Sequence, residues 1–279
     1  MRLIDRVVFG VVKWRMTSPT QSTPPLSFLD EIFLDRGADR PMRILAEYLE
    51  PMQKLASLRV KDTIVFFGSA RITENGPMGR YYAQARELSK LITEWAAKLD
   101  QSNHRFVVCS GGGSGIMEAA NRGAQDVGGH SIGLNISLPY ERQPNPYITP
   151  ELSFEFNYFF MRKLWFAHLA RALVVFPGGF GTLDELSEIL TLAQTKKFDR
   201  TIPILLFGSE YWKEVINFDA LLRHGMISPA DFELMEFVDD PETAMRRLRC
   251  IHIETVEEES PAFAHSRRAR KMDGPATKT

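Results

Sequence analysis

Short, continuously apolar runs alternate with longer amphipathic stretches along this 279-residue chain, and this alternation constrains the fold more than any other feature. The apolar runs predict strands at 63–67, 106–109, 131–136, 172–176 and 202–207. The amphipathic stretches predict helices at 41–58, 80–99, 115–127, 159–170, 182–195 and 211–223. Buried strands separated by helices are typical of a parallel sheet covered on both faces. The sequence therefore predicts an α/β, doubly wound, mainly parallel fold.

The length and the 44% hydrophobic content suit one such domain. Residues 1–25 are predicted to be an N-terminal extension ending in a Ser/Thr/Pro linker, and 256–279 a disordered tail. Residues 26–255 would form the domain. The apolar run at 7–12 is too short to span a bilayer, so a packed or frayed terminal helix is preferred to an interfacial one.

The net charge and the spacing of Cys and His residues argue against nucleic-acid, membrane and metal partners. The 34 basic and 35 acidic residues nearly cancel, which gives no global field for nucleic acid or an anionic membrane. Cys109 and Cys250 lack metal-site spacing. The same is true of the histidines His104, His130 and His168. We expect a cytoplasmic protein with reduced thiols, no metal, and no nucleic-acid or membrane partner.

Three loops that follow predicted strands are rich in glycine. They are Gly68-Ser69-Ala70-Arg71, Gly111-Gly112-Gly113-Ser114-Gly115 and Pro177-Gly178-Gly179-Phe180-Gly181-Thr182. Ligands of doubly wound folds bind beyond the carboxyl ends of the strands, where glycine lets backbone amides approach a phosphate. A single such loop is explained equally well by a tight corner, but three together indicate a phosphorylated ligand. The candidate contacts from the first two loops are Gly68, Ser69, Arg71, Gly112 and Gly113.

Sequence motifs point to a mononucleotide and then to a family. Neither GxGxxG nor GxxxxGK[ST] occurs, which weakens dinucleotide and Walker-type sites. PGGFGTLDE at 177–185 matches the pattern PGGxGTxxE, and GSAR at 68–71, GGGSGIMEAANRGA at 111–124 and Met161-Arg162-Lys163 occur in order. On these motifs the chain resembles the Lonely guy family of cytokinin-activating phosphoribohydrolases, once labelled "possible lysine decarboxylase". The resemblance covers residues 60–225.

The resemblance implies a Rossmann-like fold that usually forms a homodimer, with a higher homo-oligomer as the alternative, and an active site near the subunit interface. It implies that a nucleoside 5′-monophosphate is cleaved at its N-glycosidic bond without a cofactor. Arg162 and Glu185 occupy the positions of the family's catalytic residues. The residues that would hold the 5′-phosphate are Gly178, Gly179, Gly181 and Thr182.

Glu185 has two explanations. Cleavage develops positive charge on the sugar, which a nearby carboxylate stabilises, while Arg162 faces the base or phosphate. The alternative is a capping box, with Thr182 as N-cap and Glu185 three residues later. A carboxylate in the first turn of a helix is favoured in its ionised form, so we expect Glu185 to stay charged.

Several further side chains are weaker candidates. Lys163 would serve a phosphate or an ion pair, and because it adjoins Arg162 on a helix the two cations cannot both face the core. Glu118 would bind ribose hydroxyls or cap its helix, and Asn121 is a lesser candidate. Some aromatic residues are available to stack on a base, although most are expected in the core: Tyr158, Phe159, Phe160, Trp165 and Phe166.

Two other functions stay open at this stage. One is a noncatalytic nucleotide-binding or sensing protein, which the presence of both Arg162 and Glu185 disfavours. The other is a nucleosidase with broad specificity for purine and pyrimidine nucleotides. Lysine decarboxylation is rejected, because it needs pyridoxal phosphate on a Schiff-base lysine and no such lysine is identified.

Overall fold

Seven parallel strands form a single sheet in this computed structural model, which describes residues 40–99, 103–137, 143–198 and 202–258. The strands are β1 (Thr63–Phe67), β2 (Val107–Ser110), β3 (Ser131–Ile136), β4 (Ser153–Phe156), β5 (Ala170–Val175), β6 (Ile204–Phe207) and β7 (Met235–Val238). Their order is β4-β3-β2-β1-β5-β6-β7, and every neighbouring pair is parallel. The predicted α/β fold is confirmed.

Helices connect the strands. In the described residues they are α1 (Arg40–Ser57), α2 (Gly79–Ala96), α3 (Ile116–Asp126), α4 (Phe159–Leu169), α5 (Phe180–Gln194), α6 (Ser209–Val215), α7 (Phe218–Arg223), α8 (Pro229–Phe232) and α9 (Pro241–Glu258), with a 3₁₀ turn at Pro150–Leu152. Most bounds agree with the predicted ones to within two or three residues.

The two faces of the sheet carry separate apolar cores. Val65 and Phe67 of β1 belong to one core and Ile64 and Phe66 to the other, as the alternation of side chains along a strand requires. Helices α1, α4, α5 and α6 complete the first core, and α2, α3 and α9 complete the second. The helices therefore cover both faces, which explains why the central strands are apolar throughout.

The winding of the chain reverses at the centre of the sheet. From β1 the chain proceeds through β2 and β3 to β4 on one side, and it then returns to place β5 on the other side of β1. Ligands of open parallel sheets bind at such a switch point, beyond the carboxyl ends of the strands. Here that position is occupied by the loops after β1 and β5, two of the glycine-rich loops.

One predicted helix was wrong. The stretch 211–223 is two helices, α6 and α7, because Asn217 interrupts it: the Asn217 side chain accepts a hydrogen bond from the Ala220 amide at 2.9 Å and so starts a new helix. The strands β4 and β7 and the helix α9 were not predicted.

The chain separates into two compact units, Met1–Arg43 and Ile44–Thr279. The described part of the first unit is the opening of α1, and the features discussed below belong to the second. The predicted N-terminal extension, its linker and its terminal helix lie outside the described residues, as do residues 259–279 of the predicted tail. In the described ranges, no helix is both long enough and apolar enough to cross a membrane.

Candidate active site

A cavity of about 990 Å³ opens at the carboxyl edge of the sheet, at the switch point. Its walls include nine residues singled out from the sequence: Gly68, Ser69, Arg71, Arg162, Gly178, Gly179, Gly181, Thr182 and Glu185. Four other candidates, Gly112, Gly113, Glu118 and Lys163, are not among the residues that line it. The second glycine-rich loop contributes Gly111 instead. The sequence motifs therefore converge on one cavity, although not with every residue.

Backbone hydrogen bonds join the three loops. The Ser69 amide donates to the Pro177 carbonyl at 3.0 Å, and the Ile116 amide donates to the Ser69 carbonyl at 3.1 Å. Gly115 has φ +69°, and a Cβ there would clash with the Ser69 carbonyl oxygen. Glycine at this position is thus required both by the backbone conformation and by the close approach of the first loop.

The loop after β5 leads directly into α5, whose N-cap is Gly179. The first bond of this helix runs from the Leu183 amide to the Gly179 carbonyl at 3.0 Å. The amides before Leu183 have no acceptor within the helix, because the first turn of any α-helix leaves its donors unsatisfied. A Cβ on Gly179 or Gly181 would meet no atom within 4 Å. This end of α5 can therefore receive an anion at close range.

Arg162 of α4 and Glu185 of α5 meet in the cavity wall. Arg162 Nη2 lies 3.4 Å from Glu185 Oε1, and both side chains are largely buried. The Arg162 guanidinium also lies 5.3 Å from the centre of the Phe159 ring and 5.7 Å from that of Phe166. Contact with aromatic faces stabilises a cation and limits its movement. A carboxyl group and a fixed cation are thus adjacent inside the cavity.

The environment of Glu185 differs from the expectation. Burial raises the pKa of Glu185 to about 7, against the opposing effect of the Arg162 and Lys163 charges. The expected placement in the first turn was wrong, because α5 begins at Phe180 and Glu185 therefore lies in the second turn. For the same reason the capping box was wrong: no side chain caps this helix. That the ionised carboxylate is the active form stays a prediction. Glu185 is free to exchange a proton near neutral pH.

Lys163 lies away from the cavity and forms ion pairs. Its Nζ lies 2.8 Å from Asp184 Oδ2 and 2.8 Å from Glu188 Oε2, both on α5. Successive residues on a helix point about 100° apart, so Arg162 and Lys163 diverge as helix geometry requires. Lys163 thus links α4 to α5, and its predicted contact with substrate gains no geometric support.

Glu118 also has a partner away from the cavity. It accepts a hydrogen bond from Tyr82 Oη at 2.8 Å, and burial raises the pKa of Tyr82 to about 12. Arg122 Nη1 donates to the Tyr82 hydroxyl at 3.4 Å. Glu118 thereby ties α3 to α2, and the predicted role in binding ribose hydroxyls gains no geometric support here either.

Asn121 stabilises the second glycine-rich loop through a buried hydrogen-bond network. Its Oδ1 accepts hydrogen bonds from Ser110 Oγ at 2.7 Å and from Asn145 Nδ2 at 2.9 Å. Asn145 in turn donates to the carbonyls of Gly112 and Gly113, each at 3.0 Å. The Gly112 and Gly113 carbonyls are therefore held by this buried amide network, in which Asn145 was not foreseen.

The aromatic candidates divide into two groups. Trp165 and Phe166 are buried in the core, as expected, whereas Phe159 and Phe160 are each 48% exposed. Phe159 and Phe166 line the cavity. Phe180 at its rim is 92% exposed. Aromatic surface is thus available beside the Arg162–Glu185 pair, where a flat base would stack.

Tyr211 is the main lining residue that the sequence did not reveal. It lies on α6, and its Oη donates to the Gly178 carbonyl at 2.8 Å. The available signal was an aromatic side chain shortly after the end of an apolar strand, at the sheet edge where ligands bind. Across the described residues, no group of three or more His, Cys, Asp or Glu side chains is placed to hold a metal ion.

Comparison with known proteins identifies relatives. A family model described as "Possible lysine decarboxylase" matches residues 117–248. The "Probable cytokinin riboside 5'-monophosphate phosphoribohydrolase LOG6" of Arabidopsis thaliana is 30% identical over 178 residues, which cover 64% of this chain and 82% of that protein. The "Cytokinin riboside 5'-monophosphate phosphoribohydrolase LOG3" of Arabidopsis thaliana is 29% identical over 190 residues, which cover 67% of this chain and 79% of that protein.

Solved structures also match. One is the molybdenum cofactor binding protein from the phototrophic bacterium Rippkaea orientalis, with 19% identity and a TM-score of 0.47. The match covers 70% of this chain and 98% of that one.

Proposed function

This chain belongs to the Lonely guy family, and on that premise we propose that it hydrolyses the N-glycosidic bond of a nucleoside 5′-monophosphate. The products are the free base and ribose 5-phosphate. One observation carries the proposal: Arg162 and Glu185 are paired inside a cavity whose wall includes the Gly178–Thr182 loop. The cavity thus combines an anion-binding helix end with a carboxyl group and a cation.

The chemistry assigns different tasks to the two charged residues. As the bond between C1′ and the base breaks, its electron pair leaves with the base and the sugar becomes cationic. The Glu185 carboxylate stabilises that cation and accepts a proton from the water that attacks C1′. Arg162 stabilises the negative charge that develops on the departing base. One water is consumed: its hydroxyl forms the new bond to C1′, the proton accepted by Glu185 returns to solvent, and the base takes up a proton from solvent.

The buried position of Glu185 suits this task. With a pKa of about 7, the carboxyl is ionised in roughly half of the molecules at neutral pH. A base with a pKa near the working pH combines a useful ionised fraction with a strong affinity for the proton. Arg162 keeps the ionised form accessible, since burial alone would raise the pKa further.

The helix end at Gly179 supplies the phosphate site in this proposal. Unsatisfied amides and the positive end of the helix dipole favour an anion there. The phosphate at one end of the nucleotide would then place C1′ near Glu185. We propose AMP or a cytokinin riboside 5′-monophosphate as substrate, because the relatives are named for the latter and apolar residues line the cavity beside Arg162: Met117, Ile136, Phe159 and Phe166.

The proposal is tested by incubating purified protein with AMP and with isopentenyladenosine 5′-monophosphate, without added metal or pyridoxal phosphate, and measuring free base by chromatography. Glu185→Gln removes the charge and keeps the shape of the side chain. Glu188→Gln is the matched control, because Glu188 lies one turn further along α5 and pairs with Lys163 away from the cavity.

We expect base release by the wild type and by Glu188→Gln, and a loss of at least about 100-fold in Glu185→Gln. The relative rates on the two nucleotides then rank the substrates. Comparable release from GMP, CMP and UMP would instead identify a nucleosidase of broad specificity. Tight nucleotide binding with no base released from any of these substrates would refute the hydrolase and identify a nucleotide-binding protein.

A further inference from the structure

The peptide unit between Gly178 and Gly179 is held by a hydrogen bond from a side chain. The Gly178 carbonyl accepts a hydrogen bond from Tyr211 Oη at 2.8 Å. Because a trans peptide is planar, its carbonyl and its N–H point in opposite directions. An anchor on the Gly178 carbonyl therefore also fixes the direction of the Gly179 N–H, which is a donor at the start of α5.

This peptide needs an anchor, since glycine flanks it on both sides. Glycine imposes little steric restraint on rotation of the adjoining peptide plane. A larger residue cannot replace Gly178, because a Cβ there would clash with the Thr182 side chain. Gly179 adjoins open space, so no neighbouring atom restrains it. The preceding peptide is held from the other direction, because the Pro177 carbonyl accepts from the Ser69 amide.

Tyr211 is itself held firmly against the edge of the sheet. Its ring packs against Trp212 with 5.2 Å between the ring centres and an interplanar angle of 84°. The buried Trp212 donates through Nε1 to the carbonyls of Val175 at 3.1 Å and Phe207 at 3.0 Å, at the ends of β5 and β6. The Tyr211 hydroxyl thus connects the flexible Gly178–Gly179 peptide to the ends of β5 and β6, which the sheet holds in place.

We propose that Tyr211 is a positioning residue that orients the Gly178–Gly179 peptide to bind the substrate's phosphate. The identity of that phosphate as the 5′-phosphate of a nucleotide rests on the proposed function. Tyr211 therefore sets the affinity for the phosphorylated substrate, and the bond-breaking step at C1′ is independent of its hydroxyl. The hydroxyl accounts for part of the preference for a nucleotide over the unphosphorylated nucleoside.

The test compares Tyr211→Phe, which removes only the hydroxyl, with the wild type. Tyr81→Phe is the matched control: its hydroxyl bonds to Arg80 at 2.9 Å, and its ring packs in the core on the opposite face of the sheet. The dissociation constant of ribose 5-phosphate is measured by titration calorimetry. Steady-state kinetics supply kcat and KM for AMP, and kcat/KM for adenosine.

In Tyr211→Phe, we expect the dissociation constant of ribose 5-phosphate and the KM for AMP to rise about fivefold, the usual effect of one neutral hydrogen bond. The kcat for AMP and the kcat/KM for adenosine stay within about twofold, and Tyr81→Phe matches the wild type. An unchanged dissociation constant would overturn the proposal, as would equal losses on AMP and adenosine. If no base is released from any nucleotide, the proposed function fails, while the ribose 5-phosphate titration still decides the role of Tyr211.

Discussion

At the scale of single residues, burial decides the chemistry of Glu185. A carboxyl at the exposed start of a helix would be held ionised, but Glu185 lies one turn further in, only 7% exposed. Its pKa is the balance between loss of water, which raises it, and the cations Arg162 and Lys163, which lower it. The position of Glu185 in the helix therefore determines how strongly its carboxyl binds a proton.

This balance predicts the pH dependence of the reaction. If the Glu185 carboxylate is the active form, kcat/KM falls about tenfold for each pH unit below about 7 and levels off above it, because protonation of the buried group removes the base. The measurement is base release from AMP at low substrate concentration between pH 5 and 9.

The Glu188→Gln variant should show the same form of profile with its midpoint at slightly lower pH, since Glu188 lies outside the cavity wall but its charge raises the pKa of Glu185. A rate that instead falls as the pH rises through 7 would contradict the assignment. It would mean that protonated Glu185 is the active form and donates its proton to the departing base.

At the scale of secondary-structure elements, the sequence revealed the buried strands and missed those at the edges. The central strands are apolar on both faces, so their sequences are continuous apolar runs. β4 and β7 are the edge strands, and each mixes buried positions with partly or fully exposed ones in four residues: SFEF and MEFV. Such short, mixed segments carry little periodic signal, which is why neither was predicted.

The candidate site was predictable to a similar degree. Glycine-rich corners after strands are local features, so the loops around Gly68, Gly111 and Gly178 could be located from sequence. The role of Tyr211 depends on β6 lying next to β5, and that adjacency is created only by the fold. Asn145 escaped prediction for the same reason, since its partners Gly112 and Gly113 are more than 30 residues away in sequence.

Asp62 joins the opposite, amino edge of the central strands. Its carboxylate is 1% exposed and pairs with Arg105 Nη2 at 2.7 Å and with Arg171 Nε at 3.4 Å. It also accepts the Phe106 amide at 2.6 Å, and Phe106 has φ +52°, in the left-handed region that non-glycine residues seldom adopt. One side chain therefore fixes the starts of β1, β2 and β5.

We predict that Asp62→Ala lowers the free energy of unfolding by about 3–5 kcal/mol, because two largely buried cations and the Phe106 amide lose this carboxylate. Denaturant unfolding followed by circular dichroism measures the loss. Glu236→Ala is the control: it breaks an ion pair with Arg247 whose side chains are 42% and 57% exposed, and should cost about 1 kcal/mol or less. Equal effects of the two substitutions would contradict a structural role for the Asp62 cluster.

At the scale of the whole molecule, the stabilising ion cluster and the candidate active site lie at opposite edges of one sheet. The buried ion cluster of Asp62, Arg105 and Arg171 lies at the amino edge, whereas the cavity with Arg162 and Glu185 lies at the carboxyl edge. The carboxyl edge can thus carry a buried titratable pair and a glycine-rich loop, features that stabilise a fold poorly, because the amino edge and the two apolar cores hold the strands in register.

Helices α1 and α4 leave an apolar patch at the surface. Tyr48 of α1 packs on Trp165 of α4 with 5.9 Å between ring centres, so the two helices are neighbours. Around this contact, four large apolar side chains are between 37% and 54% exposed: Leu45, Tyr48, Phe160 and Leu164. An exposed apolar patch on two neighbouring helices is a common mark of a subunit interface.

We predict that this patch is buried in a homodimer, the assembly implied by the resemblance to the Lonely guy family. Size-exclusion chromatography with light scattering should give about twice the 31.8 kDa chain mass for the wild type. Leu164→Asp should give the monomer, because a buried unpaired charge at a two-fold interface is introduced twice. Met226→Asp is the control, since Met226 is 68% exposed in the segment between α7 and α8 and should leave the dimer intact. A wild type of monomer mass, or a dimer that survives Leu164→Asp, would show that α1 and α4 do not form the interface.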